Sequence, residues 1–310
     1  MTTRAALRAL ALVSLLISAT AHATIFRAYL ASDGNDANPC TLPQPCRLLP
    51  AALTAVTDGG EIWMLDSANY NTATVIVGKS VSILAVPGAV GSVLAIGGPA
   101  ISITAGGLGI SLRNVVIAPL AGAGGTHGVS MTGGSTLTVE HSLIANLPNR
   151  GVSVVGAGTV RIANSIIRNS GDFAVWLETG ASGLISGTQM LGNTGGVTAY
   201  GSAGDATTTR ALVSDSVISG GAAGVKADAG SGSILYIGVT GCTIQGTDKA
   251  LWSLAADGAG AEIIVSHSVI MNNNYRYYQS GEFAFVGTAG NNQMGMNNQS
   301  FGSTVPAGLQ

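Results

Sequence analysis

The sequence predicts an all-β solenoid, a single domain whose chain winds into stacked coils of short strands joined by tight corners. Three observations carry the prediction. First, the segment Leu137-Thr138-Val139-Glu140-His141-Ser142-Leu143-Ile144 has counterparts along most of the chain. Its anchor Ser142 is matched by Val115, Ser165, Thr188, Ser216, Cys242 and Ser268, at steps of 27, 23, 23, 28, 26 and 26 residues. A repeat of that length, without space for a helix in each unit, buries its apolar face on its neighbours. Second, two aliphatic columns flank the anchor: Leu112, Val139, Ile162, Ile185, Val213, Val239 and Val265 before it, and Ile117, Ile144, Ile167, Met190, Ile218, Ile244 and Ile270 after it. A weaker column five residues before the anchor, from Ile110 and Leu137 to Ile263, keeps the period of two that turns alternate strand residues inward.

The third observation lies at the corners. The residue before the anchor is Asn114, His141, Asn164, Gly187, Asp215, Gly241 or His267, the types that best tolerate a left-handed backbone. Asn146, Asn169, Gly192, Gly220, Gly246 and Asn272 mark a second corner four residues past the anchor, leading to strands such as Gly151-Val152-Ser153-Val154. Composition agrees. With 45 glycines, 9% charged residues and a positive mean hydropathy, the chain is rich in corners around a continuous apolar core.

The pattern resembles the right-handed parallel β-helix of the pectate-lyase-like superfamily, and more closely the bacterial secreted β-helix-repeat proteins. The resemblance implies a single-stranded right-handed parallel β-helix; the spacing alone does not give the hand. The segment Gly34-Asn35-Asp36 through Pro39-Cys40, Cys46 and Arg47 also resembles the N-terminal segment of that bacterial family.

Taken in order, residues 1–23 read as a signal peptide: Arg4 and Arg8, an apolar run from Ala9 to Ala19, and the small-x-small site Ala21-His22-Ala23. The run is short of the ~20 residues that span a bilayer, so an uncleaved anchor is the weaker reading, and no later segment is expected to cross a membrane. Export to the periplasm, the cell surface or the medium follows. Removing Arg4 and Arg8 leaves 11 basic against 15 acidic residues, a net charge of −4 with no basic stripe for nucleic acid.

Residues 24–60 form the expected N-terminal cap, which covers the apolar end and open strand edges of the solenoid. Ile25 to Leu30 is a first strand. Cys40 and Cys46 bracket a proline-rich loop that a disulfide could close, worth on the order of 2 kcal/mol on the chain-entropy account. Leu48, Leu49, Ala52, Leu53 and Val56 have helical spacing, with Pro50 in the first turn and Gly59-Gly60 as the stop. Coils occupy residues 61–301, less regular before Ile103 and degraded after Asn272, and 302–310 is a loose tail. Cys242, in the anchor column, is a buried small residue.

The chemistry expected of an enzyme on this fold is hard to find. Calcium-dependent or paired-carboxylate mechanisms need clustered acids, whereas the ten aspartates are scattered, mostly in corners such as Asp172, Asp205, Asp228 and Asp257. No histidine and cysteine have metal-ligand spacing, and no metal or cofactor is expected. His141 and His267 occupy the corner column, where conformation alone accounts for them, and His127 lies in a loop.

Two outward clusters remain. On the first strand Arg113 and Glu140 share a column on consecutive coils, with Arg161 diagonally beyond; the choice is between a solvated ion pair and a sugar or uronate contact. On the other strand, alternation turns Trp176 outward, and Thr198, Lys226, Trp252 and Tyr278 follow it on successive coils. Rungs about 4.8 Å apart approach the length of one sugar residue, and aromatic faces suit sugar rings; a covering loop or an interface is the competing account. Leu184, Leu212 and Ile264 also face outward, calling for a covering loop or partner. The leading expectation is an exported, non-catalytic protein that binds a glycan or cell-surface polymer along the side of the solenoid. A polysaccharide lyase, hydrolase or epimerase is the alternative implied by fold resemblance, and requires carboxylates, or a carboxylate with Arg or Lys, converging on neighbouring coils. A structural or adhesive surface protein is the third.

Overall fold

In the computed structural model, residues 24–306 are described; the signal-peptide reading and the last four residues lie outside them. Three parallel sheets wrap one core. One coil illustrates the path: Thr136–Glu140 lies in sheet 1, the chain turns at His141 into Leu143–Ala145 in sheet 2, turns again at Asn146, and reaches Val152–Val155 in sheet 3. Gly156 then leads to Thr159–Ala163, the next rung of sheet 1. Sheets 1, 2 and 3 hold 12, 9 and 10 strands, stacked in chain order. Pairing stays in register along the repeat, so that Leu137 lies between Ile110 and Val160.

The register puts the aliphatic columns inside. Leu112, Val139, Ile162, Ile185 and Val213 are buried in sheet 1, as are Ile117, Ile144, Ile167, Met190 and Ile218 in sheet 2. Every residue of the first corner column, from Asn114 to His267, has a φ between 48° and 63°, and every residue of the second has one between 54° and 81°. Asn, His, Asp and Gly interchange there because each can hold the left-handed corner. At Gly187 and Gly241 a Cβ would fall 2.5 Å from the side-chain oxygen of Asn164 or Asp215 one coil earlier, so a larger residue would have to push that side chain aside.

The anchor column has a reason that aliphatic patterning does not supply. Four serine hydroxyls of the column each bridge two coils. The Ser165 hydroxyl donates to the Ala163 carbonyl (2.8 Å) and accepts from the Ser142 N–H of the preceding coil (3.2 Å). Ser142, Ser216 and Ser268 repeat the arrangement, accepting from the N–H groups of Val115, Thr188 and Cys242. The hydroxyls thus partner corner N–H groups that would otherwise be stranded in the core. Cys242 stands in for a hydroxyl, its sulfur 3.3 Å from the Thr240 carbonyl oxygen, and burial pushes its thiol pKa up.

At the N-terminal end, Ile25–Leu30 pairs with Val56–Met64 as the first rung of sheet 1, and Cys40 and Cys46 are joined. Helix α1, Leu49–Ala55, has Pro50 in its first turn and buries Leu49, Ala52 and Leu53. It ends before the expected Gly59-Gly60 stop, because Val56 is drawn into pairing with Ile25. Asp66 ties cap to coil, accepting from the Ser32 backbone N–H and hydroxyl and from the buried Tyr70 hydroxyl. Burial acts to raise the Asp66 pKa, but those hydrogen bonds and Arg47 hold it below the usual carboxylate value. Burial, with Asp66 nearby, pushes the Tyr70 phenol up.

The far end departs from the repeat. The degraded coils are present: Tyr275–Ser280 and Ala284–Thr288 continue sheets 3 and 1. Val305–Pro306, expected in the loose tail, pairs with Gly287–Thr288. Asn292 replaces the anchor hydroxyl, and Asn297 continues the amide bridges that Asn193 and Asn273 make at the second corner. The Oδ1 atoms of Asn292 and Asn297 accept from the N–H groups of Ser268 and Asn273, while their Nδ2 groups donate to the Val265 and Ile270 carbonyls.

Candidate functional site

Sheet 3 carries the column expected from strand alternation. Trp176 pairs with Thr198, Thr198 with Lys226, Lys226 with Trp252, and Trp252 with Tyr278, each one rung on. Phe301 adds a further aromatic, stacked on Tyr278 with centroids 4.7 Å apart. Thr198 is buried, however, because a short side chain between Trp176 and Lys226 lies beneath its neighbours. The ridge is therefore two clusters with a gap between them.

In the first, the Arg150 guanidinium lies 3.5 Å from the Trp176 ring centroid and pairs with Asp172 at 3.0 Å. The Trp176 indole N–H donates to Glu178 (2.9 Å), and Phe173 and Tyr200 pack against the ring. His127 stands nearby, its pKa lowered by burial and by Arg150. In the second cluster Lys226 and Lys249 lie 4.3 and 4.6 Å from the Trp252 centroid. Lys226 pairs with Asp228 at 2.7 Å and Lys249 with Asp248. Hydrogen bonds from Asn274 and Lys249 hold the Asp248 carboxyl below its ordinary pKa. Tyr275 and Tyr278 complete the cluster, 5.5 Å apart and edge to face. The Trp252 indole N–H has no partner, because Leu254 stands where Trp176 has Glu178.

Cations thus cover the indoles, so a ligand here meets ring edges, the tyrosines and the fixed acid–base pairs rather than bare faces. Lysines and carboxylates converge on neighbouring coils, an arrangement the enzymatic alternative also requires. Alternation predicts Glu178, Tyr200 and Asp228 two residues beyond the ridge column. Arg150 gives no such signal, because it sits in the turn ahead of its strand and reaches forward by one coil.

The other three candidates lie on sheet 1 and belong to a different face. Arg113 pairs with Glu140 at 2.8 Å, an exposed contact of the kind worth ~0–1 kcal/mol. Arg161 pairs along the sheet with Thr138, two residues off that column, and lines a shallow groove of about 400 Å³ with Leu184, Arg210, Leu212 and Tyr236. His141 and His267 are corner residues, each with φ 48°. Among the described residues, no three His, Cys, Asp or Glu side chains converge at metal-holding distance, and no helix is long and apolar enough to cross a membrane.

The model of the right handed beta helix region matches residues 99–310. The chain belongs to the right-handed β-helix family. The hand follows the general rule for parallel crossovers. No curated protein matches the chain. Among solved structures, this β-helix is similar to pectate lyase Pel9A at 14% identity and a TM-score of 0.65, covering 93% of this chain and 81% of the other. It is similar to XylC in its complex with xylose at 8% identity and a TM-score of 0.54, with coverage of 84% and 68%. It is also similar to an alginate lyase from Paenibacillus sp. str. FPU-7, at 12% identity and a TM-score of 0.50, with coverage of 90% and 99%. At these identities the likeness is one of fold.

Proposed function

We propose that this β-helix is an exported protein that binds a polysaccharide along sheet 3, at Trp176 and at the Lys226, Trp252 and Tyr278 cluster. The observation that carries the reading is the register. Lys226, Trp252 and Tyr278 stand on successive rungs about 4.8 Å apart, close to the repeat of a sugar chain, with Trp176 two rungs before Lys226. Their fixed pairing to Asp172, Glu178, Asp228 and Asp248 offers hydroxyl-rich ligands both donors and acceptors in a preset geometry. Support for a glycan also comes from the fold neighbours, which are a pectate lyase, an alginate lyase and a protein in complex with xylose.

The purified chain is screened against immobilised acidic and neutral polysaccharides, scoring retention and cleavage together. Retention by the wild type, with at least a tenfold loss in the double variant Trp176→Ala/Trp252→Ala, is the expected outcome. Equal retention by the double variant removes the ridge from the reading. A second reading rests on the convergence of Lys226, Asp228, Lys249 and Asp248 around Trp252. Cleavage of a polymer by the wild type, abolished in Lys226→Ala, would replace binding by catalysis at that cluster.

A further inference from the structure

The outer face of sheet 1 carries a second surface, distinct from the ridge. Three columns matter. The first runs Leu184, Leu212, Gly238, Ile264 and Gly287 on successive rungs; the second, two residues earlier along each strand, runs Ser182, Arg210, Tyr236, Glu262 and Phe285. Ile234 lies in the third. Leu184, Leu212 and Ile264 are 37%, 42% and 40% exposed, and Tyr236 and Phe285 are equally open. No loop of the described residues covers them. Five ion pairs join described residues, and neither Arg210 nor Glu262 is in any of them.

We infer that this face binds a second copy of the chain, through a two-fold axis lying between the two faces and running along the strand that contains Tyr236. The axis follows from the order of side chains. Rotation about it sends each rung to the rung equally far on the other side of Tyr236 and keeps each residue in its own column. Arg210 then faces Glu262 of the partner subunit, and Glu262 faces the partner subunit's Arg210, so both unpaired charges are matched twice. Leu212 meets the partner's Ile264. Sizes are complementary two rungs out: Leu184 falls opposite the partner's Gly287, and Phe285 opposite the partner's Ser182. At the axis itself the small Gly238 meets its own copy and leaves room for the neighbouring tyrosines. The other two-fold axis, along the solenoid, would set Arg210 against Arg210 and Glu262 against Glu262. Charge order therefore selects antiparallel solenoids.

Packed sheets stand about 10 Å apart, which brings opposed side chains into contact. Five rungs at about 4.8 Å make a contact only about 20 Å long, at the small end of specific interfaces, so association at micromolar concentration is expected.

Sedimentation velocity of the full chain, from about 1 to 200 µM, is the test. The wild type is expected to pass from monomer to dimer over that range. Arg210→Glu and Glu262→Arg should each weaken the dimer about tenfold or more, and the double exchange should restore it, because the swapped charges meet again across the same axis. Leu212→Glu should leave a monomer throughout, with an unchanged circular dichroism spectrum reporting an intact fold. A wild type that stays monomeric to 200 µM overturns the inference, whether or not an acidic polysaccharide binds at Arg161 and Arg210. So does a dimer indifferent to Leu212→Glu, or one that the double exchange fails to restore.

Discussion

The outer face of sheet 1 around Tyr236 and the outer face of sheet 3 around Trp252 sit on the same rungs above the same core, yet they treat their side chains in opposite ways. On sheet 3 each lysine is paired, packed over an indole and only 17–18% exposed. On sheet 1 the leucines and isoleucine lie open, and Arg210 and Glu262 have no ionic partner. Both faces obey the same alternation, so the backbone does not choose between them. What differs is whether the surface is already satisfied within one chain. A polar face whose charges are paired within the chain presents fixed donors and acceptors to a glycan; an apolar face with unpaired, ordered charges is completed by a large partner.

Breaking the shared core should abolish the contrast altogether. Val213 is fully buried beneath the exposed Leu212, and Val213→Asp would place an unpaired carboxylate there, costing roughly 3–5 kcal/mol. Thermal melts should show early loss of structure, with polysaccharide retention and dimer formation lost together; a variant that keeps either one would mean that the faces do not share a core. The double tryptophan variant sharpens the contrast next, since it should lose polymer retention while its sedimentation matches the wild type.

A smaller effect tests the corners. Ser165→Ala removes the acceptor of the Ser142 N–H and should lower stability by roughly 1–3 kcal/mol, read from the denaturation midpoint. A shift below about half a kcal/mol would mean that another group replaces the hydroxyl. Smallest is the pH response of the Lys249 and Asp248 pair. Because the folded pKa of Asp248 is depressed, its contribution is present above the ordinary carboxylate value and fades as the pH falls through the lower folded one. The wild type should therefore lose slightly more stability on acidification than Asp248→Asn, and identical acid limbs would remove Asp248 from the account.

The corners were legible in the sequence because few residue types tolerate a positive φ, so Asn114, His141, Gly187 and Asp215 could share a column despite different chemistry. The ridge was legible because alternation and a constant register carry Trp176 to Tyr278. Its interruption was not, since the burial of Thr198 depends on how far the side chains of Trp176 and Lys226 lean across the gap. Arg150 was missed for a related reason: a turn residue follows no strand period. The serine anchors were recognised as small, but their hydrogen bonds join residues more than twenty positions apart, and no local pattern records which amide needs a partner. At the cap, helical spacing carried through Val56, where pairing with Ile25 overrode it.

The asparagines of the last coil have one more consequence. A serine hydroxyl takes one N–H from the coil beneath, whereas Asn292 holds that coil with both ends of its amide, as Asn193 and Asn273 do at the second corner. An array lengthened by duplicating internal repeats should extend the serine ladder at the first corner and gain a new amide clamp at the second wherever the coil of Asn193 or Asn273 is copied. Each such clamp gives its layer a second polar fastening above the same oily interior.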